Sequence, residues 1–332
     1  MKSLFTPLLS SILALTAART LACDVCGCSL INHPWEPRAG LFFGATEQFT
    51  RFNTIQVDGH KIDNDADQYL DSSNTQLFLG YSITRRFSLQ VNVPLIHRAF
   101  RRTAGDRIEK GVESGIGDVS LLGSFIPFYQ NSSDFTFMAK LAGGVKFPTG
   151  SSDRLREEEE EGHAHGDEEA EEHHHEDEHE SLPESGVHGH DLALGSGSVD
   201  GIVGGSIYTR FKRAFFTADV QYAIRSKGDH SYRYANDFSW SGGPGFYLKD
   251  DAELTVAVQF ICSGEAKGKD KFRGERADDT GLTAVYLGPK FSGTWRDRIS
   301  ADVELGIPVN IDNSALQIVP DFRVRGGFSV QF

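Results

Sequence analysis

Eight of the chain's 12 histidines fall between residues 163 and 190: His163, His165, His173, His174, His175, His179, His188 and His190. They are interleaved with Glu157 to Glu161, Asp167, Glu168, Glu169, Glu171, Glu172, Glu176, Asp177, Glu178 and Glu180. Neutral imidazole suits zinc, copper and nickel, and carboxylates suit harder cations. By composition the tract therefore predicts weak, multi-site binding of divalent ions. Zinc or copper are the candidate bound metals, and no cofactor is required. The alternative is a disordered anionic loop with little apolar surface to bury, and the two readings are compatible. The loop's field concentrates cations at low ionic strength, and protonation of its histidines below about pH 6.5 is expected to release transition metals.

A second set of ligand-type residues stands near the N-terminus. Cys23, Cys26 and Cys28 offer three thiolates, which favour Cu(I) or Zn(II), with His33 near enough in sequence to be a fourth ligand. A disulfide in an oxidising compartment and lipid attachment at Cys23 are the competing readings. Cys262 lies far along the chain and is expected to stand apart from this trio as a small lipid-facing residue.

The elements that position these residues follow from charge and periodicity. Of the formal net charge of −14, residues 151–191 supply −15, with 17 acids and 2 arginines. The remaining 291 residues are nearly neutral, so no basic domain exists to neutralise phosphates and nucleic-acid binding is excluded as a function class. Lys2 followed by the apolar run Leu4 to Ala18 and the small-residue stretch Thr20-Leu21-Ala22 reads as a signal peptide over 1–22. Residues 23–37 then form a periplasmic cysteine-containing segment. Beyond the first segment no apolar run reaches 18 residues, which leaves no candidate spanning helix but says nothing against spanning strands.

Period-2 alternation dominates after residue 38. Phe322, Val324, Gly326, Phe328, Val330 and Phe332 share one face, and Arg323, Arg325, Gly327, Ser329 and Gln331 the other. The same alternation runs through Ile299 to Ile307, Leu254 to Phe260, Phe216 to Ile224 and Phe87 to Leu95. Each run is about nine to eleven residues long, enough to cross a bilayer at a tilt. Connections alternate between short ones (Thr84-Arg85-Arg86, Lys249-Asp250-Asp251) and long ones near 50–72, 98–115, 147–197, 226–236, 263–279 and 309–317. That asymmetry marks outer-membrane barrels. Phe125, Phe128, Phe246, Tyr247, Phe291 and Trp295 sit near strand ends, where an interfacial girdle lies.

The fold class is thus all-β: a transmembrane antiparallel up-and-down barrel over 38–332, with about 12 strands closed between first and last. The strands are expected at 39–49, 73–84, 86–98, 116–128, 134–147, 198–210, 213–226, 236–248, 252–263, 280–292, 297–308 and 318–332. The even number puts both termini on the periplasmic side and makes the long, disordered His/Glu-rich loop at about 148–196 extracellular. Localisation is the bacterial outer membrane, with its lipid as one partner. The terminal strand ending in Phe332 is the expected handle for the barrel-assembly machinery. The inward charges Lys140, Lys146, Asp219, Glu253, Asp302, Glu304, Arg323 and Arg325 are the candidate pore lining. Twelve strands fall between a filled barrel and an open channel, so an open and a closed lumen both stay possible at this stage.

Three short motifs add a resemblance. Gly115-Ile116-Gly117-Asp118, then Pro148-Thr149-Gly150, then Gly195-Ser196-Gly197-Ser198-Val199-Asp200 occur in the order that resembles the outer-membrane transporters grouped with phenol meta-cleavage-pathway proteins. That resemblance covers most of 38–332 and implies passage of small, often hydrophobic solutes, with no functional residues to carry over. The Cys23-to-Cys28 start and the acidic insert depart from a plain member. The Cys-x-x-Cys-Gly-Cys start is similar to that of exported barrel proteins associated with heavy-metal gene neighbourhoods.

The sequence thus points to an outer-membrane transporter or channel for a small solute, linked to divalent-metal handling through its loop. The alternative is a metal-binding surface protein that uses a closed barrel only as an anchor. An enzyme is not expected, because His33, His60, His97 and His230, the histidines outside the loop, sit in no recognisable nucleophile motif.

Overall fold

The computed structural model describes residues 37–158 and 183–332. The segment 1–22 read as a signal peptide, Cys23, Cys26 and Cys28, and His163, His165, His173, His174, His175 and His179 lie outside the described residues. The chain forms β1 (Gly40–Val57), β2 (Tyr69–Ser82), β3 (Phe87–Ala104), β4 (Ser120–Asn131), β5 (Phe135–Lys146), β6 (Asp200–Phe211), β7 (Ala214–Ile224), β8 (Asp237–Asp250), β9 (Leu254–Lys267), β10 (Leu282–Trp295), β11 (Ile299–Asn313) and β12 (Leu316–Gln331). Each strand pairs with the next in sequence, and β12 returns antiparallel to β1 from Phe42↔Gln331 to Val57↔Leu316. The barrel is closed and leaves no open edge, which is the condition for spanning lipid with strands.

The twelve strands fall where alternation places them, but several run further outward than expected. The segment read as 39–49 continues to Val57, 86–98 to Ala104, 252–263 to Lys267 and 297–308 to Asn313. Apolar alternation reports the lipid-facing band, whereas the hydrogen-bond ladder continues above it. Three expected long loops are correspondingly short. Residues Arg107–Ile116 fold back on β3 as a hairpin, from Ala104↔Arg107 to Leu95↔Ile116. Asp58 (φ 48) and Gly59 (φ 79) make a tight two-residue turn into His60–Ile62, with the positive φ angles that such hairpin turns require. Between β11 and β12 only Ser314 and Ala315 remain.

The wall is apolar outside and polar inside. Every strand exposes a large apolar side chain: Leu41, Leu79, Leu89, Leu121, Leu141, Val203, Val220, Phe246, Phe260, Phe291, Val303 and Phe328 in strand order. Inside, Gln48, Asn74, Asn92, Ser120, Ser206, Gln221, Gln259, Ser300, Glu304 and Arg323 are buried. A water-soluble sandwich would bury the first set and expose the second. An apolar belt of this extent is stable only in lipid, so the chain is an outer-membrane β-barrel. Among the described residues no helix is long and apolar enough to cross a membrane.

Phe87, Phe125, Phe128, Phe211, Phe246, Trp295 and Phe332 are exposed near the short-turn end. Tyr247 is not part of that girdle. It is 5% exposed and bonds Tyr208 hydroxyl to hydroxyl at 2.7 Å in the interior, because it has the opposite parity to Phe246. Cys262 is a free, exposed thiol on the outer face with Phe260, opposite Gly242 and Leu287.

Candidate functional site

The two described limbs of the β5–β6 connection turn back into the barrel mouth. The first limb, 147–158, carries the 3-10 turn Asp153–Arg156, and the second limb, 183–199, carries the helical turn Gly189–Leu192. The expected disorder over 148–196 is therefore corrected for both described limbs. Val187 and Leu192 are fully buried against the inward side chains Phe52, Leu70, Phe100 and Ile318 of β1, β2, β3 and β12. Leu155 and Ala193 pack with Tyr232 and Tyr234. Burying a Val or Leu side chain stabilises by roughly 1.5–3 kcal/mol, so these contacts hold a plug in place.

Polar contacts fix the register of the plug. Ile318 N–H donates to Gly186 O at 2.9 Å, and Gly186 N–H donates to Gln68 Oε1 at 3.0 Å. Arg98 donates to the carbonyls of Asp191 and, at 2.9 Å, Ala193. Arg102 bridges Glu109 and Glu157, each at 2.7 Å. Arg154 pairs with Glu113 at 2.5 Å, which ties the first limb to the hairpin extending β3.

The three sequence motifs meet at one point beneath this plug. Asp118 Oδ1 accepts from Gly150 N–H at 3.0 Å, and its Oδ2 accepts from Ser196 N–H at 3.0 Å and Ser196 Oγ at 2.8 Å. Lys146 Nζ lies 2.5 Å from Asp118 and 2.8 Å from Asp200. Arg225 continues the chain of charges to Asp200 at 3.0 Å and Asp237 at 2.5 Å. Gly150 and Gly195 let the two limbs touch: a Cβ on Gly150 would stand 2.7 Å from Leu194 O and 2.9 Å from Gly195 Cα. The motifs are thus the hinge pin of the plug, and Lys146 belongs to this anchor.

Beside the anchor, the described histidines of the loop come together. His188 and His190 stack at 5.4 Å between ring centroids. His190 is buried, and its ring nitrogen Nδ1 is 3.0 Å from Glu158 Oε1. Burial opposes charge on His190, yet Asp191, Glu158 and Asp279 outweigh it and push its pKa up to about 10. Burial likewise works against Glu158 as a carboxylate, but His190 and then His188 hold it down to about 2. His190 therefore keeps its proton far above the ordinary histidine range, unlike the solvated histidines envisaged from composition. The same acids that hold that proton can hold a metal cation in its place.

Below the plug lies a polar cavity of about 510 Å³ that reaches the short turns at Asp251 and Asp297. Asp219, Asp302, Glu304, Arg323 and Arg325 line it, together with Lys290, Trp240, Tyr208 and Tyr247. Lys290 pairs with Asp302 at 3.2 Å. Arg323 pairs with Glu265 and lies 4.3 Å over the Tyr286 ring, and Arg325 donates to Gln48 Oε1 at 2.8 Å. Lys140 lines a smaller neighbouring cavity with Phe42, Phe78 and Gln331, and its charge faces Asp219.

Glu253 is a correction. It lies in the β8–β9 turn, where Asp251 Oδ1 accepts the N–H groups of Glu253 and Leu254 at 3.0 and 2.9 Å. The Glu253 side chain is 73% exposed and meets Arg296 at 3.1 Å, so it does not line the lumen. Sequence reading missed Lys290, Glu265 and Arg225 as interior charges. Lys290 had a readable signal, its alternation with the outward Phe291.

No protein-family model and no curated protein sequence matches the chain. Among solved structures, an outer-membrane channel from Pseudomonas putida F1 shares the fold with a TM-score of 0.61 and 15% identity, over 91% of this chain and 100% of that one. The β-domain of the Bordetella autotransporter BrkA gives 0.40 and 10% over 89% and 100%. The CymD monoaromatic hydrocarbon channel gives 0.35 and 8% over 89% of each.

Proposed function

We propose that this protein is an outer-membrane channel or transporter for a small solute, with its acidic, histidine-rich loop linking it to divalent-metal handling at the outer mouth. The observation that carries the reading is the charged cavity of about 510 Å³ lying beneath a plug made from the chain's own loop. Small barrels fill their interior with side chains, whereas this one keeps a cavity lined by charges of both signs. The shared fold with an outer-membrane channel supports the same reading. The C-terminal strand, ending in an exposed Phe332 that stacks on Phe43 at 6.0 Å, is the surface offered to the barrel-assembly machinery.

The plug itself favours a second reading, a closed anchor whose business is the metal-binding loop, because Val187 and Leu192 seal the mouth with apolar contacts. Planar-bilayer conductance of the folded mature protein separates the two. Discrete openings, reduced by micromolar zinc on the loop side, are the expected result. A silent barrel, shown to be folded by its heat-shifted gel mobility, overturns the channel reading.

A further inference from the structure

We propose that His188, His190 and Asp279 form a site for one borderline transition-metal ion, of zinc or copper(II) character, that fastens the plug to the β9–β10 loop. The proposal deepens the metal-linked reading of the loop and stands apart from whether the barrel conducts. It differs from composition-based binding along the acidic tract in having a fixed donor set.

One donor atom from each of the three residues lies within 4.8 Å of the others. The pair His188 Nε2 and Asp279 Oδ2 is 3.6 Å apart, close to the spacing of two atoms sharing a metal of 2.0–2.2 Å bond length. His190 has its Nδ1 engaged by Glu158, so Nε2, 3.5 Å from Asp191 Oδ1, is the nitrogen left for an ion. A carboxylate on the far nitrogen is the arrangement that orients metal-ligating histidines. His188 Nδ1 is buried and makes no hydrogen bond, so neither tautomer of that ring is locked against coordination.

The donor chemistry sets the ion. Two imidazoles and a carboxylate suit zinc, copper(II) or nickel over calcium or magnesium. Three protein ligands leave an open position, with Asp191 at hand as a fourth. The surrounding carboxylates Glu158, Asp191 and Asp279 supply the negative charge that a dication needs.

Placement gives the site a consequence. His188 and His190 flank the turn that seats Val187 and Leu192 in the mouth. Asp279 belongs to a different connection, in the 3-10 turn Asp278–Thr280 before β10. An ion held by all three therefore ties the plug to a second loop, and its removal loosens the seal.

The test uses the full barrel in detergent with residues 159–182 deleted, Cys23, Cys26 and Cys28 changed to Ser and His33 changed to Ala, which removes the other candidate ligands. Titration with Zn²⁺, and with Cu²⁺ followed by electron paramagnetic resonance, should give one equivalent and nitrogen coupling from imidazole. His188→Ala and Asp279→Asn should each weaken binding by at least about tenfold. Both side chains are partly exposed, and heat-shifted gel mobility checks that each barrel is folded. Loss of all stoichiometric binding on deleting 159–182, or unchanged affinity in both variants, overturns the site. A silent bilayer leaves this result untouched, and absent metal binding leaves the conductance result untouched.

Discussion

Lys146 Nζ lies 2.5 Å from Asp118 Oδ2, and both side chains are almost wholly buried where β5 and the start of β4 meet the plug. Asp118 also accepts from Gly150 and Ser196, one residue from each limb. Removing one partner of a buried ion pair leaves an uncompensated charge and costs about 3–5 kcal/mol. Lys146→Met should therefore release both limbs at once. The expected outcome is faster limited proteolysis within 147–199 and larger single-channel conductance, with barrel gel mobility retained. Unchanged proteolysis would remove Lys146 from the anchor.

The apolar side of the plug makes a separate prediction. Leu192 is fully buried against residues of four strands, and large-to-small changes at such sites cost about 2–5 kcal/mol. In Leu192→Ala that loss falls on docking of the plug and not on the closed ladder of the wall. Hydrogen exchange should rise across 183–199 and stay slow in β1 to β12. A uniform rise across the strands would show that plug and wall unfold together.

How legible this was differs from part to part. The wall was readable because lipid outside and water inside impose a strict period of two, visible from Phe87 to Leu95 and from Phe322 to Phe332. The outer ends of β1 and β3 were not, because above the lipid the ladder persists after the apolar signal ends at residues such as Arg51 and Arg101. Glu253 kept the alternation but lost the wall, since Asp251 caps the turn locally. Asp118, Gly150 and Ser196 could be recognised as motifs, but their joint role depends on three connections meeting in space. The same holds for Asp279, far in sequence from His188.

The charged lining predicts ion selectivity. Asp302 and Glu304 are adjacent inward positions on β11, flanked on the same wall of the cavity by Lys290 of β10 and by Arg323 and Arg325 of β12. Changing Asp302→Asn together with Glu304→Gln removes two negative charges and leaves those three cations. Pore potentials follow the sign of lining charge, so the reversal potential in a salt gradient should move toward anion preference. The shift should shrink at high ionic strength, where lining charges are screened. If selectivity and conductance stay as in the parent, these two carboxylates do not face the permeation path.

The last prediction concerns Cys262. Its thiol is exposed on the outer face, beside Phe260 and opposite Leu287, within the apolar band and well above the short-turn end of the barrel, toward which Cys23, Cys26 and Cys28 are expected. In lipid the thiol meets hydrocarbon, which keeps charged, water-borne reagents away from it. With the other three cysteines changed to Ser, a membrane-permeant maleimide should label the protein in vesicles only slowly, and a charged, water-soluble maleimide should not label it. Both should react after unfolding in detergent. Rapid labelling of the vesicle-embedded protein by the charged reagent would place Cys262 in water and would require a different register for β9.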